Sequence, residues 1–271
     1  MAIEISGKVI IVTGASSGIG RATALALARE RTSLVLVARR GSLLASLEEE
    51  CRQAGGQAMA LTLDLSKSDQ VETMIRTAHV RLGRIDVLIN NAGFGYTGTV
   101  EETPSSVVRD IFDLNFNAPL VAVQLAIPIM RSQGQGHIIN VSSVVGRRAL
   151  PMSGIYCATK FALHGISESL RLELKGTGIN VSIINPAGTE SEFGEHVRYG
   201  RAKTKFQPAG HIQSAGEVAA AIVDCIRKPK VEVYPYRRSR ALAWINGIAP
   251  SVMDRILENY FRDRIRAAAG K

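Results

Sequence analysis

The chain has few of the residues that build disulfide frameworks or metal centres. Its 271 residues include three cysteines, Cys51, Cys157 and Cys225, which are odd in number and widely spaced. Neither a disulfide network nor a Cys/His zinc pattern is indicated. The five histidines form no His-x-x-x-His pair, the spacing with which a helix binds zinc. We therefore predict no catalytic metal ion.

Long apolar runs, linkers and repeats are also missing. No apolar run has the length that a bilayer requires, and the start of the sequence lacks a basic segment followed by an apolar one. We therefore expect an intracellular, cytoplasmic protein. Strand-like and helix-like segments alternate without a Pro/Gly/Ser-rich linker, which predicts one α/β domain.

Acidic residues are scarce at one end of the chain. The net charge is +9, and residues 227–271 carry eleven Lys/Arg against four Asp/Glu, so +7 of it lies there. The excess is local, and no helix-turn-helix, zinc-finger or RNA-binding signature accompanies it. We expect no nucleic-acid partner.

A glycine-rich turn lies between a predicted strand and a predicted helix near the start. The apolar residues 8–13 precede Gly14-Ala-Ser-Ser-Gly18-Ile-Gly20, and the Ala/Leu-rich residues 21–29 follow. Free backbone N–H groups and the helix dipole make such a helix start a site for a pyrophosphate. The spacing differs from Gly-x-Gly-x-x-Gly, and the Lys of a P-loop is absent.

Further strand and helix patterns follow in alternation. Strands are predicted at residues 33–38, 57–63, 85–89, 136–143, 180–184 and 231–234. Helices are predicted at residues 43–54, 69–82, 104–130 with a bend near Pro128, from about 153 to 175, and 215–226. The alternation predicts an α/β fold with a single doubly wound parallel sheet of about seven strands and helices on both faces.

Three side chains point to proton-transfer chemistry. Tyr156 and Lys160 share a helix face, and Ser143, thirteen positions earlier, closes a buried strand. The ammonium of Lys160 is expected to lower the pKa of the Tyr156 phenol. A Tyr-x-x-x-Lys pair alone is common on helix surfaces, but a hydroxyl, a phenol and an amine at the carboxyl end of a strand suit proton delivery to a carbonyl oxygen.

The motifs together resemble the short-chain dehydrogenase/reductase family over roughly the first 235 residues. They are residues 13–20, Asp64-Leu65, residues 90–93, Asn115, Ser143 and Tyr156-Cys-Ala-Thr-Lys160. The resemblance implies a Rossmann fold and nicotinamide-dependent carbonyl/alcohol chemistry. In this family, Tyr156 would be the general acid/base and Lys160 would bind the nicotinamide ribose. Ser143 would orient the substrate oxygen, and Asn115 would hold a water of the proton relay.

The resemblance also implies a set of cofactor contacts along the carboxyl edge of the sheet. They are Gly14, Ser16, Ser17, Gly18, Ile19, Gly20, Arg39, Asp64, Leu65, Asn91, Ala92, Gly93, Tyr156, Lys160, Pro186, Gly188, Thr189 and Ser191. Asp64 either accepts from the adenine or caps the next helix. After the sixth strand, Ala187 and Ser191 stand where the family usually has glycine and threonine, which weakens the expectation for this loop.

The residues after the second strand favour NADP(H) over NAD(H). An acidic side chain about twenty residues past the glycine loop would receive the ribose 2′-hydroxyl of NAD. This chain has Arg39 and Arg40 there, and a guanidinium binds phosphate in a bidentate manner. We expect Arg39 to be the chief contact of the 2′-phosphate, with Ser16 or Ser17 assisting.

The predicted substrate elements are a lid and a C-terminal extension. Residues 1–235 form the predicted catalytic domain, with a substrate lid at about 188–213, and 236–271 a basic amphipathic extension. The extension either packs on the domain or a neighbouring subunit, which we favour, or contacts an anionic membrane. Apolar residues around Ser143 and Tyr156 predict a hydrophobic ketone or aldehyde as substrate: Val144, Val145, Leu150, Met152 and Ile155.

Two other functions fit parts of the pattern. A non-catalytic NADP-binding regulator would need Lys160 but not the whole relay. A nucleotide-sugar epimerase or dehydratase would generally carry a large C-terminal substrate domain, which residues 236–271 are too few to form. We expect a homodimer or homotetramer through the helices that start near Pro104 and Ser153.

Overall fold

A seven-stranded sheet organises the fold. The computed structural model describes residues 3–200 and 212–268. The strands are β1 (Val9–Thr13), β2 (Ser33–Ala38), β3 (Gln57–Thr62), β4 (Val87–Asn90), β5 (Gly136–Val141), β6 (Ile179–Ile184) and β7 (Glu232–Val233). The helices are α1 (Gly18–Ala28), α2 (Gly41–Gln53), α3 (Ser68–Leu82), α4 (Ser105–Phe112), α5 (Ala118–Ser132), α6 (Gly154–Glu173), α7 (Ala215–Arg227), α8 (Ser239–Ile248) and α9 (Pro250–Ala268).

All seven strands are parallel, and their order confirms the predicted architecture. The order is β3-β2-β1-β4-β5-β6-β7, so the chain moves outward from β1 in one direction and then outward from β4 in the other. Neighbouring β1 and β4 therefore form the topological switch point, where ligands bind at the carboxyl ends of the strands. The glycine loop follows β1 at this point.

Alternate residues of the strands face two separate hydrophobic layers. In β1, Ile10 and Val12 pack with Leu27 of α1 and Ile222 of α7. Ile11 faces the opposite layer, which contains residues of α3 and α5. A strand with both faces buried has the near-continuous apolar sequence from which the strands were predicted.

The predicted long helix at residues 104–130 is interrupted at a different place from the one expected. A π-helical turn, Asp113–Asn117, separates α4 from α5, and α5 continues through Pro128. By length and composition alone, Ser105–Ser132 is apolar enough to cross a membrane, contrary to the expectation that no segment has the length a bilayer requires. Ala122 and Ala126 of α5 are buried against the sheet, and a core helix has the same composition.

The described part of the predicted lid at residues 188–213 forms short strand pairs beside the cleft. Thr189–Glu190 pairs with Gln213–Ser214, and Arg198–Tyr199 pairs with Tyr96–Thr97. Residues 201–211 of the predicted lid lie outside the described residues. The described segments are thus joined to the domain by backbone hydrogen bonds.

The C-terminal extension packs on residues 144–153, the loop that follows Ser143. Met253 and Phe261 of α9 are buried. Arg148 donates to Asn246 of α8 at 2.9 Å and forms an ion pair with Asp254 of α9, and Asn246 donates to the Arg147 carbonyl at 3.0 Å. The extension therefore belongs to the same packed body as the residues after Ser143.

One buried histidine of the sheet makes stability dependent on pH. His137 of β5 is 5% exposed, and its Nε2 lies 2.8 Å from the Ser182 hydroxyl. Burial lowers the pKa of His137 to about 4. The unfolded chain takes up a proton near the ordinary pKa of about 6.5, whereas the folded chain does not, so stability falls as the pH drops between these two values.

We expect the protonation of His137 in the unfolded chain to lower the free energy of unfolding by about 2 kcal/mol between about pH 7 and about pH 5. Urea unfolding at both pH values measures it. In His137→Gln, which keeps a hydrogen-bonding group for Ser182 but does not titrate, the fall should be smaller by that amount. An equal fall in both proteins would show that His137 is not responsible.

Candidate active site

A cleft of about 860 Å³ lies along the carboxyl edge of the sheet. Its wall starts at the glycine loop, passes the ends of β2 to β6 and ends at α8 and α9. With the exception of Gly20, Asn115 and Ile155, every residue predicted to contact cofactor or substrate lines this cleft. The structure therefore brings both predicted halves of the site, nucleotide and proton relay, into one cavity.

The glycine loop forms a cradle that has no room for side chains. Gly14 and Gly18 have φ angles of +66° and +53°, which favour glycine. A Cβ on Gly20 would overlap the Gly14 carbonyl oxygen and lie 2.7 Å from the Asn91 amide nitrogen. A Cβ on Gly18 would lie 2.9 Å from Ser191 Cβ. The absence of side chains leaves the backbone of the α1 start open to the cleft, as a pyrophosphate site requires.

Asn91 holds the glycine loop against the end of β4. Its amide nitrogen donates to the Thr13 carbonyl at 2.9 Å, and the Thr13 hydroxyl accepts from the backbone N–H groups of Asn91 and Ala92. Gly93 has no room for a side chain, because a Cβ there would lie 2.9 Å from Asn115 Oδ1. The sequence alone did not reveal this contact. The side chain of Asn91 thus positions the loop.

The outer end of the nucleotide half is basic. Arg40 donates to the Ser16 hydroxyl from Nε at 3.2 Å and from a terminal nitrogen at 3.1 Å, and it forms a 2.8 Å ion pair with Glu192. Arg39 is exposed beside it and has no hydrogen-bonded or charged partner among the described residues. Arg39 was the predicted chief contact, with Ser16 or Ser17 assisting, but of the two arginines it is Arg40 that contacts Ser16.

Asp64 takes part in a turn ahead of α3. Its Oδ1 accepts from the Ser66 hydroxyl at 2.9 Å and from the Ser66 N–H at 3.2 Å. This contact is not a helix cap, since the residue at the cap position of α3 is Lys67, and the expected contact of Asp64 with the adenine stays a prediction. Asp64 also lines the cleft next to Leu65.

The loop after β6 closes the cradle from above. The Pro186 carbonyl accepts from Val144 N at 3.0 Å and from the Ser143 hydroxyl at 3.4 Å. Gly188, Thr189 and Ser191 follow along the cleft wall. The substitutions Ala187 and Ser191 are therefore compatible with a loop that lies over the glycine cradle.

Tyr156 and Ser143 meet at the centre of the cleft, and Lys160 lies behind them. Lys160 is 5% exposed, and its Nζ donates to the Val141 carbonyl at 3.0 Å and lies 5.7 Å from the centroid of the Tyr156 ring. The Tyr156 ring packs against Phe193 with centroids 5.7 Å apart. The backbone of α6 and the carboxyl end of β5 together hold the three groups.

The pKa of Tyr156 differs from the expectation. Burial raises the pKa of the Tyr156 phenol above its usual range, and a hydrogen bond from Ser143 only partly opposes this. Burial is the largest cause of this shift, and the lowering of the Tyr156 pKa by Lys160 stays a prediction. Burial also lowers the pKa of Lys160 to about 8, so that its ammonium keeps its proton near neutrality.

Asn115 lies behind the cleft wall within the π-helical turn. Its Oδ1 accepts from Phe94 N at 3.0 Å, and its Nδ2 donates to the Phe94 carbonyl at 3.0 Å and to the Thr159 hydroxyl at 3.2 Å. Both amide protons are used, so a water of the relay would be held through the backbone of Asn115 or the second lone pair of its Oδ1. The side chain fixes α6 relative to the turn.

The substrate end of the cleft has apolar walls. The predicted residues Val144, Val145, Leu150 and Met152 line it, together with Phe193. The C-terminal extension also contributes to this wall, which was not predicted: Ser239, Ala243, Met253, Leu257 and Phe261. Met253 and Phe261 are buried and Leu257 is partly buried, and this apolar repeat of four residues was the available signal.

A group of potential metal ligands lies next to Arg147, in the loop of residues 144–153. Atoms of His164, Glu168 and Glu232 lie within 4.8 Å of one another. Arg147 forms ion pairs with both carboxylates, and His164 Nε2 lies 2.9 Å from Asn185 Oδ1. The guanidinium already supplies the positive charge that a metal ion would bring.

The comparison with protein families gives one assignment. The family model described as short chain dehydrogenase matches residues 8–202. Among curated proteins, the ketoacyl reductase HetN of Nostoc sp. is 34% identical over 258 residues, covering 93% of this chain and 88% of the relative. The uncharacterized oxidoreductase YxnA of Bacillus subtilis is 31% identical over 258 residues, covering 94% and 72%.

Solved structures agree with this assignment. A short chain dehydrogenase/reductase from Burkholderia phymatum in complex with NAD has a TM-score of 0.83 and 27% identity, covering 93% of this chain and 96% of that one. A metagenomic short-chain oxidoreductase in complex with NADP has a TM-score of 0.73 and 29% identity, covering 86% and 97%. Structures of this fold thus contain either nicotinamide cofactor.

Proposed function

Because the chain belongs to the short chain dehydrogenase family, we propose that it is an NADP(H)-dependent oxidoreductase that interconverts a hydrophobic ketone or aldehyde and its alcohol. The observation that carries the proposal is the single cleft in which Tyr156 and Ser143 lie between a glycine cradle and an apolar wall. The cradle suits a dinucleotide and the wall suits an apolar substrate.

The residues present fit a nicotinamide cofactor. The loop of Gly14, Gly18 and Gly20 would receive the pyrophosphate, and Lys160 would bind the ribose. The cofactor, when bound, supplies or accepts the hydride. The protein's own part is to hold the carbonyl and to exchange the proton.

Tyr156 is the proposed general acid in the reducing direction. Its raised pKa keeps the phenol protonated near neutrality, and the neighbouring Ser143 hydroxyl orients the substrate oxygen towards it. The proton leaves the Tyr156 oxygen and arrives on the oxygen of the former carbonyl. The nearby positive charge of Lys160 stabilises the phenolate that remains.

Two arginines support the preference for NADP(H). Arg39 is exposed at the end of β2 without a partner in the described part of the chain, and Arg40 already contacts Ser16. No carboxylate occupies either position, although Glu192 pairs with Arg40 from across the cleft.

Since cells keep the NADP pool largely reduced, we propose that reduction is the physiological direction.

Replacing Arg39 with Ala should weaken NADPH binding by about tenfold or more and leave NADH binding nearly unchanged, because a charged hydrogen bond contributes about 1.5–3 kcal/mol. Titration of both cofactors against intrinsic fluorescence measures the two affinities. Arg40→Ala is the companion variant, and the larger loss of discrimination identifies the chief contact. Unchanged discrimination in both variants would remove the arginines from this role.

The apolar wall supports a hydrophobic substrate. Val144, Met152, Phe193 and Leu257 present hydrocarbon to the cleft next to Tyr156. Ketones and aldehydes of increasing chain length, screened for oxidation of NADPH, test the substrate class. Equal activity towards short polar and long apolar carbonyls would contradict it.

A non-catalytic NADP-binding protein is the rival from another class. Such a protein would need the cradle and Lys160 but would not need Ser143 next to the Tyr156 phenol. We also propose that the protein forms a homodimer or homotetramer through α4, α5 and α6. Sedimentation equilibrium measures the mass of the assembly, and a monomer at all concentrations would contradict the proposed oligomer.

A further inference from the structure

The outward face of α8 exposes an apolar stripe. Trp244 and Ile248 are 63% and 82% exposed, and Ile245 beside them is 42% exposed. Their spacing of one, three and four positions places them on one side of the helix. They line a shallow groove with Ala241 and Ala249. Large apolar side chains grouped in this way on a surface mark a site of interaction.

Basic side chains border the stripe. Arg237 and Arg240 line the same groove, and the guanidinium of Arg240 lies 5.5 Å from the centroid of the Trp244 ring. Arg238 is also exposed at the start of α8. No acidic residue lies between positions 233 and 253. The face is therefore apolar in its centre and positive at its border.

Helix α9 continues the apolar stripe but not the basic border, because Asp254 and Glu258 are exposed on it. Val252, Ile256 and Tyr260 are 49%, 51% and 54% exposed and repeat every four residues. The adjacent stripe of Met253, Leu257 and Phe261 faces the cleft. Each of the three turns between Val252 and Phe261 thus has one residue in the substrate wall and one exposed apolar residue.

We propose that the outward face of α8, extended by α9, docks on the surface of an anionic phospholipid bilayer. Tryptophan and isoleucine enter the boundary between head groups and acyl chains, and arginines pair with the phosphates. A symmetric contact with the same face of a second copy fits less well, because Arg237 and Arg240 would then meet like charges. The proposal does not depend on the reaction that the cleft catalyses.

The test uses the full chain and two kinds of vesicle. Co-sedimentation should be strong with vesicles of phosphatidylcholine mixed with phosphatidylglycerol and weak with phosphatidylcholine alone. It should decrease as salt is raised, since salt screens the arginines. Binding should fall by about tenfold or more in Arg237→Glu/Arg240→Glu and in Ile248→Glu. Equal binding to both vesicles, or binding to neither, would overturn the proposal.

Val80→Glu is the matched control. Val80 is 76% exposed on α3, so this variant adds the same charge at an equally exposed apolar residue outside α8 and α9. It should bind vesicles as the unmodified protein does. An equal loss in Val80→Glu and Ile248→Glu would show a general charge effect and contradict the proposal.

Two further measurements separate docking from misfolding and from self-association. Melting temperatures of all variants show whether they fold, and Ile248→Ser, which removes the apolar group without adding charge, replaces Ile248→Glu if that variant unfolds. Sedimentation velocity shows the mass without vesicles. A fall in mass in Ile248→Ser without a change in vesicle binding would assign the face to a second copy and overturn the proposal.

Discussion

Tyr156→Phe is expected to lower turnover by about a thousandfold, because a positioned general acid contributes about 10²–10⁴ to the rate. The change removes one oxygen and leaves the ring, whose packing against Phe193 at 5.7 Å between centroids is retained. Binding of NADPH should therefore stay nearly the same. Steady-state reduction of an identified carbonyl, followed by the loss of NADPH absorbance, measures the effect.

Tyr199→Phe is the matched control for this variant. Tyr199 also lies near the cleft, and its hydroxyl donates to the Gly194 carbonyl at 3.4 Å. Removing this hydroxyl should change turnover by less than about threefold, as expected of an exposed hydrogen bond. Full activity in Tyr156→Phe, or a similar loss in both variants, would exclude Tyr156 as the general acid.

Gly20→Ala is expected to weaken cofactor binding by about a hundredfold or more. The added methyl group would overlap the Gly14 carbonyl oxygen, which belongs to the backbone and cannot move without opening the cradle. It would also press on the Asn91 amide that holds the loop, 2.7 Å away. Overpacking of this kind costs about 1–3 kcal/mol or more, and the free energy of unfolding should fall as well.

Gly165→Ala provides the comparison within the same chain. Gly165 lies in α6, the helix of Tyr156, and a Cβ there would meet no atom within 4 Å. Cofactor affinity should be unchanged, and the free energy of unfolding should rise by about 0.5–1 kcal/mol because alanine favours the helix. Fluorescence titration and urea unfolding measure both variants. Tight NADPH binding by Gly20→Ala would show that the cofactor does not use this cradle.

Much of the fold could be predicted because its strands are buried on both faces. The runs at residues 33–38 and 57–63 were located to within a residue, since a short apolar run bounded by polar turns is typical of a buried strand. The interruption at Asp113–Asn117 was not predicted. A π-helical turn adds one residue to the helical repeat and leaves composition unchanged, so periodicity alone does not reveal it.

The site was predictable where short motifs determine it and not where distant segments meet. Ser143, Tyr156 and Lys160 are close in sequence and were placed in the cleft as expected. The contact of Arg40 with Glu192 joins residues 152 positions apart, and the wall from α9 is separated from Tyr156 by about a hundred residues. Such contacts depend on the packed arrangement and have no local sequence signal.

The order of the sheet also has a consequence during synthesis on the ribosome. After β4, each new strand joins the edge formed by the strand before it, and α9 adds the final wall of the cleft. A chain that emerges from its N-terminal end can therefore build the nucleotide half while later residues are still being translated. The substrate half is completed only when residues 253–261 have left the exit tunnel, so a nascent chain would gain affinity for the dinucleotide before it gains selectivity for the carbonyl.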